Sequence, residues 1–162
     1  KLYTWGVEQE VSYVKGSWQL RANATYRAAI QSELIATDNR YINNVPMFTA
    51  NLIVDKKLSA SHALNIAVRY VGRQFSPIII QQDGQHVEDP FPDEGVSYFE
   101  PMHYVEDVTL VNANWQWQAT AKLKVNLQVN NVFDRHYHQG GSTLHPYQQT
   151  GRWFHLKATY RF

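Results

Sequence analysis

Residues 121–131 read AKLKVNLQVNN, so Leu123, Val125, Leu127 and Val129 alternate with Lys122, Lys124, Asn126, Gln128 and Asn130. A period of two sends successive side chains to opposite faces of a strand, one apolar and one polar. Six other segments repeat the pattern. Tyr3, Trp5, Val7, Val11 and Tyr13 alternate with polar partners over 2–13, and Trp18, Leu20, Ala22, Ala24, Tyr26, Ala28 and Ile30 do so over 18–30. Phe48, Ala50, Leu52 and Val54 mark 47–56; Leu64, Ile66, Val68 and Tyr70 mark 62–73; Val111, Ala113, Trp115 and Trp117 mark 107–118. The last segment sets Phe154, Leu156, Ala158, Tyr160 and Phe162 against Trp153, His155, Lys157, Thr159 and Arg161. No segment sustains helical spacing.

The connections alternate as well. VKGS, KKLSAS and QAT are short, whereas 31–46, 74–106 and 132–150 are long and rich in Pro, Gly, Asp, Asn and His. In an antiparallel up-and-down meander successive connections lie at opposite ends of the sheet. The pattern therefore predicts an all-β sheet of about seven strands with short turns at one end and long loops at the other, the asymmetry of outer-membrane barrels.

Alternation leaves the solvent open, because a soluble barrel hides its apolar face and a membrane barrel shows it to lipid. Tyr13, Trp18, Trp117, Tyr160 and Phe162 fall at the short-turn end of the apolar face. Tyr26, Phe48, Tyr70 and Phe154 fall nearer the long loops, with aliphatic residues between the two groups. Two aromatic rows around an aliphatic band match the two edges of a bilayer. The charges Arg21, Arg27, Arg69, Lys122, Lys124 and Lys157 fall on the polar face, which a water-filled lumen tolerates. Two alternatives stand beside this reading: a small soluble β-barrel binding an apolar ligand inside, and an outer-membrane barrel that does not transport.

Fifteen basic and fourteen acidic residues nearly cancel among 162, so charge gives no support to nucleic-acid binding. The chain has no Cys, which excludes disulfides and thiolate metal sites. Strand patterning runs from Leu2 to Phe162, so the segment is expected to be the C-terminal part of a longer chain, its two sheet edges completed by further strands or other copies.

The final third resembles the C-terminal end of TonB-dependent outer-membrane receptors of the siderophore type. The residues that carry the resemblance are LQVNNVFDRHY (127–137), GRWF (151–154) and LKATYRF (156–162). Within them Asn131, Val132, Phe133, Asp134 and Tyr137 match one family stretch, and Gly151, Arg152, Phe154 and Phe162 match the next. GVEQEVSYV (6–14) and VPMFTANLIV (45–54) look like upstream strands of the same family.

The resemblance implies that 1–162 is the C-terminal part of a transmembrane β-barrel of roughly 22 strands, its plug domain and early strands lying elsewhere. It implies uptake of a ferric siderophore or similar small nutrient across the outer membrane of a Gram-negative bacterium. Energy would come from the inner-membrane TonB complex acting on the plug. It also implies that the aromatic terminus, Phe154, Tyr160 and Phe162, is read by the barrel assembly machinery. No enzymatic chemistry and no cofactor are expected.

The long loops supply the candidate ligand mouth: Phe91, Tyr98, Phe99, His103 and Tyr104 in the second, and His136, Tyr137 and His138 in the third. Exposed aromatics suit a chelate or cyclic ligand, and they equally suit packing between loops. Arg21 and Arg69 are lumen-facing candidates for an anionic ligand or plug carboxylates. His136 and His138 with His145 could ligate Zn²⁺ or Cu²⁺, but no regular spacing links the third, and solvated loop histidines are the simpler reading. Glu88, Asp89, Asp93 and Glu94 lack EF-hand spacing and read as a solvated turn.

Overall fold

The computed structural model describes residues 2–32, 45–76, 103–142 and 145–162. Seven strands form one antiparallel sheet: β1 (Leu2–Lys15), β2 (Trp18–Ser32), β3 (Phe48–Lys57), β4 (His62–Val71), β7 (Val108–Gln118), β8 (Leu123–Asn130) and β11 (Trp153–Tyr160), neighbouring one another in that order. The meander follows the alternating segments, with ends displaced by a residue or two. Between β4 and β7 a small hairpin pairs β5 (Gln74–Ser76) with β6 (His103–Val105), and between β8 and β11 another pairs β9 (His138–Ser142) with β10 (His145–Gln148). These two hairpins carry no clear alternation and belong to the long connections.

Register keeps each face uniform. Val7 lies opposite Tyr26, Val11 opposite Ala22 and Tyr13 opposite Leu20. Leu20 then meets Val54, which meets Ile66, which meets Ala113. Ala113 meets Val129, and Val129 meets Phe154. A slip of one residue would invert a whole strand, and the apolar stripes of the seven strands coincide apart from a register shift between Tyr3 and Thr4, which sets Gln31 opposite Tyr3 and takes Ile30 out of the stripe. The first turn is two residues long and opens on Gly16 at φ +57°, the position where a II′ hairpin requires Gly.

The sheet has almost no interior. Among the described residues the buried apolar side chains are Ala28 and Val105, and no large side chain is fully buried. Leu156 is 70 % exposed, Val11 56 % and Leu127 37 %. A soluble barrel would enclose these stripes; here Leu123, Val125, Leu127 and Val129 are half-buried or exposed on one face of the sheet, beside the apolar residues of the adjoining strands. An apolar face this broad is far larger than soluble proteins leave bare.

The aromatic rows stand at the two ends of that face. Toward the long loops, Trp5 and Tyr26 have ring centroids 5.5 Å apart, and Phe48 and Tyr70 5.9 Å. At the short turns His62, Trp115 and Trp117 stack with spacings of 5.5–6.1 Å, and Tyr160 meets Phe162 edge-on at 5.2 Å. Such contacts lock rings that would otherwise be separately mobile.

Candidate functional site: the polar face and the long-loop end

The polar face is a hydrogen-bonded surface built from short side chains. Asn51 Nδ2 donates to Asn23 Oδ1 at 2.8 Å, and Asn65 Nδ2 donates to Asp55 Oδ1 at 2.7 Å. The other oxygen of Asp55 pairs with Arg21 Nη2 at 3.1 Å. Thr25 Oγ1 donates to Glu8 at 3.1 Å, and Gln128 Nε2 to Asn130 Oδ1 at 2.9 Å. Cross-strand register produces most of these contacts, since Asn23 and Asn51, Asp55 and Asn65, and Glu8 and Thr25 are direct partners, whereas Gln128 and Asn130 lie two apart on β8. Asn114 Oδ1, Asn126 Oδ1 and Asn130 Nδ2 are covered yet have no partner among the described residues.

The two arginines singled out on this face differ. Arg21 is held by Asp55, which neutralises it. Arg69 is exposed, opposite Asn51 on one side and Leu110 on the other, and no ion pair engages it among the described residues. Arg69 is therefore the stronger candidate for an external anion.

The long-loop end is organised by a clasp after β8. Asn131 and Asp134 adopt positive φ, +50° and +53°, a region that Asn and Asp tolerate better than other side chains. Asn131 is buried. Its amide N–H donates to Asn112 Oδ1 at 2.9 Å, its Oδ1 accepts from the Arg135 N–H at 2.9 Å, and its Nδ2 donates to the Arg135 carbonyl at 2.9 Å. Asp134 Oδ1 accepts the Arg152 N–H at 2.6 Å, and Arg152 Nη1 reaches the Val132 carbonyl at 3.4 Å. A Cβ on Gly151 would come within 2.7 Å of Asp134 Oδ1, so a larger residue here would push the carboxylate out of its hydrogen bond to Arg152. The residues of the NVFD and GR stretches thus tie the end of β8 to the start of β11.

The clasp sets where the third connection leaves the sheet. His136, Tyr137 and His138 follow it directly, and the Tyr137 carbonyl accepts from the Gln149 N–H at 2.9 Å, closing the base of the loop. His136 and His138 are exposed and Tyr137 is half-buried. Strands β5 and β6 both contact β9, so the backbone carrying His103 and Tyr104 lies beside the strand that begins at His138. The second and third connections therefore share one base. Phe91, Tyr98 and Phe99, and the acids Glu88, Asp89, Asp93 and Glu94, lie outside the described residues. Among the described residues no group of three His, Cys, Asp or Glu side chains could hold a metal ion.

Three features were not read from the sequence. One is the Asn131–Asp134–Arg152 clasp, whose residues were noted only as a pattern. The second is the Tyr70 hydroxyl donating to Asp107 Oδ2 at 3.2 Å beside the second connection. The third is a basic edge on the apolar face, where Lys56 Nζ sits 4.1 Å over the Trp18 ring.

No family profile and no curated protein sequence matches the chain. Solved structures do. The ferripyoverdine receptor of the Pseudomonas aeruginosa outer membrane superposes with a TM-score of 0.75 at 20 % identity, over 97 % of this chain and 19 % of that one. The fold is that of a sector of such a barrel wall. The siderophore receptor PiuA of Acinetobacter baumannii gives 0.70 at 16 % identity, over 97 % of this chain and 21 % of its own. The copper transporter OprC gives 0.67 at 20 % identity, over 98 % and 23 %. The chain spans about a fifth of the length of these three proteins.

Proposed function

We propose that this chain is a wall sector of a TonB-dependent outer-membrane receptor that takes up a ferric siderophore or comparable chelated nutrient in a Gram-negative bacterium. The observation that carries this reading is the two-sided sheet. A mostly aliphatic band between aromatic rows, interrupted by Gln9, covers one side, bonded amides and ions cover the other, and the described residues form almost no buried core between them. The fold likeness supports it, as do the neighbours' ligands: ferripyoverdine in one, copper in another.

On this reading β1 and β11, each paired on one side only among the described residues, join further strands of a closed barrel, because unpaired backbone groups cannot face hydrocarbon. Phe154, Tyr160 and Phe162 belong to the edge recognised during barrel assembly. The long connections form part of the ligand mouth, with His103, Tyr104, His136, Tyr137 and His138 at their shared base and Phe91, Tyr98 and Phe99 beyond it. Asn114, Asn126, Asn130 and Arg69 offer polar contacts to the plug, through which the inner-membrane TonB complex supplies energy. Selection is by loop shape, without bond making or breaking.

The test is binding of full-length protein, in detergent, to ferric pyoverdine-type and catecholate chelates and to Cu²⁺. Replacing His136, Tyr137 and His138 together by Ala is expected to weaken binding of the preferred ligand about tenfold or more, an effect of about 1.4 kcal/mol. Substituting Asn51, on the wall, is expected to leave it unchanged. Failure of every chelate and of copper to bind would contradict the receptor reading.

A further inference from the structure

The outward face of the seven main strands carries three basic residues whose side chains are described, Lys15, Lys56 and His62, and no carboxylate. All three stand at the short-turn end. Lys15 lies opposite Trp18, and Trp18 opposite Lys56, so the three share one row across β1, β2 and β3. Neighbouring strands are about 4.8 Å apart, so a lysine position stands on the strand at each side of Trp18.

Lys56 is fixed there. Its ammonium lies 4.1 Å from the Trp18 ring centroid and donates to Ser17 Oγ at 2.8 Å. An ammonium has three N–H donors, so others remain for an oxygen arriving from the lipid side. The Ser17 hydroxyl, accepting from Lys56, keeps its own O–H to donate. His62, stacked on Trp115 and Trp117, continues the edge across β4 and β7. At the opposite rim, around Trp5, Tyr26, Phe48 and Tyr70, the described cation is Arg73 near Tyr70, where the acid Asp107, bonded to the Tyr70 hydroxyl, offsets it.

Aromatic rings alone place a wall at the interface of any bilayer; cations on one rim add a preference for negative headgroups. From this charge complementarity we infer that the Lys15–Trp18–Lys56 row, with Ser17, is a docking site for the phosphate of an anionic glycerophospholipid in the leaflet beside the short turns. The indole packs against the glycerol region, and Lys15 and Lys56 close on the phosphate from the two sides. The inference rests on the membrane-barrel reading above and adds lipid selectivity to it.

The test uses full-length protein in phosphatidylcholine nanodiscs. Phosphatidylglycerol or phosphatidylcholine, each brominated near the glycerol end of the acyl chains, is added at equal mole fraction. The Trp18 signal is the difference between the protein and Trp18→Phe; the Trp5 signal, from Trp5→Phe, reports the opposite rim. Brominated phosphatidylglycerol is expected to quench Trp18 more strongly than brominated phosphatidylcholine and to show no preference at Trp5. Lys15→Gln and Lys56→Gln are each expected to reduce the preference about fivefold, and the pair to abolish it. Equal quenching of Trp18 by the two lipids, or a preference that survives the double substitution, overturns the site. Absence of quenching of either Trp by either lipid overturns the membrane reading and the site together.

Discussion

The carboxylate of Asp134 accepts the backbone N–H of Arg152 at 2.6 Å, in the space a Cβ on Gly151 would need. The two residues therefore constrain each other: the carboxylate keeps its place only while position 151 lacks a Cβ, and in that place it caps the start of β11.

That dependence makes Gly151→Ala destabilising by about 1–3 kcal/mol, the range for forcing a contact in packed structure. Asp134→Ala loses a charge-assisted hydrogen bond, also about 1–3 kcal/mol. The double variant is expected to cost clearly less than the sum, because without the carboxylate the added methyl has room. Denaturant unfolding of the full-length protein, followed by Trp fluorescence, gives the coupling. Strict additivity would contradict the contact.

The two faces of β8 give a second expectation. Leu127 and Asn126 are adjacent, one on each face. Leu127→Arg is expected to cost about 2–4 kcal/mol in a bilayer, as cations do near the middle of the hydrocarbon, and Asn126→Arg about 0–1 kcal/mol. Folding titrations into lipid vesicles measure both.

The Arg21–Asp55 pair is expected to contribute little. Both side chains are more than a third exposed, and pairs of this kind couple by about 0–1 kcal/mol with screening by salt. A double-mutant cycle with Arg21→Ala and Asp55→Ala, repeated at low and high salt, checks it.

Phe162 is fully exposed after β11, with its ring against Tyr160. Phe162→Ala is expected to slow assembly in cells while leaving the folded wall stable. The outcome is read as less heat-modifiable barrel in outer-membrane fractions, against unchanged unfolding of the purified protein. Equal loss in both measurements would assign Phe162 to stability alone.

Most of the wall was legible because a strand with one apolar and one polar face must alternate, and AKLKVNLQVNN admits no other periodicity. Short turns such as that at Gly16 are local chemistry and show in sequence for the same reason. The clasp was not derivable from the residues alone. Asn131 and Asp134 act through backbone conformation and through Asn112 and Arg152, distant in the chain, and nothing in a one-dimensional pattern pairs them. The basic edge was hidden by period: Lys15, Lys56 and His62 fall at strand ends, where alternation fades into the turns. The bases of the second and third connections meet only through β5, β6 and β9, three short strands without a pattern of their own.

The most direct measurement is a cysteine scan of β8, which the absence of native Cys in this chain makes simple. Each residue from Leu123 to Asn130 is replaced singly in full-length protein, spin-labelled, and reconstituted in lipid. Collision rates with oxygen, which partitions into acyl chains, and with a water-soluble nickel chelate are then compared. Labels at 123, 125, 127 and 129 are expected to favour oxygen, and those at 124, 126, 128 and 130 the nickel chelate. The opposite phase, or labels at 123, 125, 127 and 129 shielded from both reagents, would show that the apolar stripe does not face lipid.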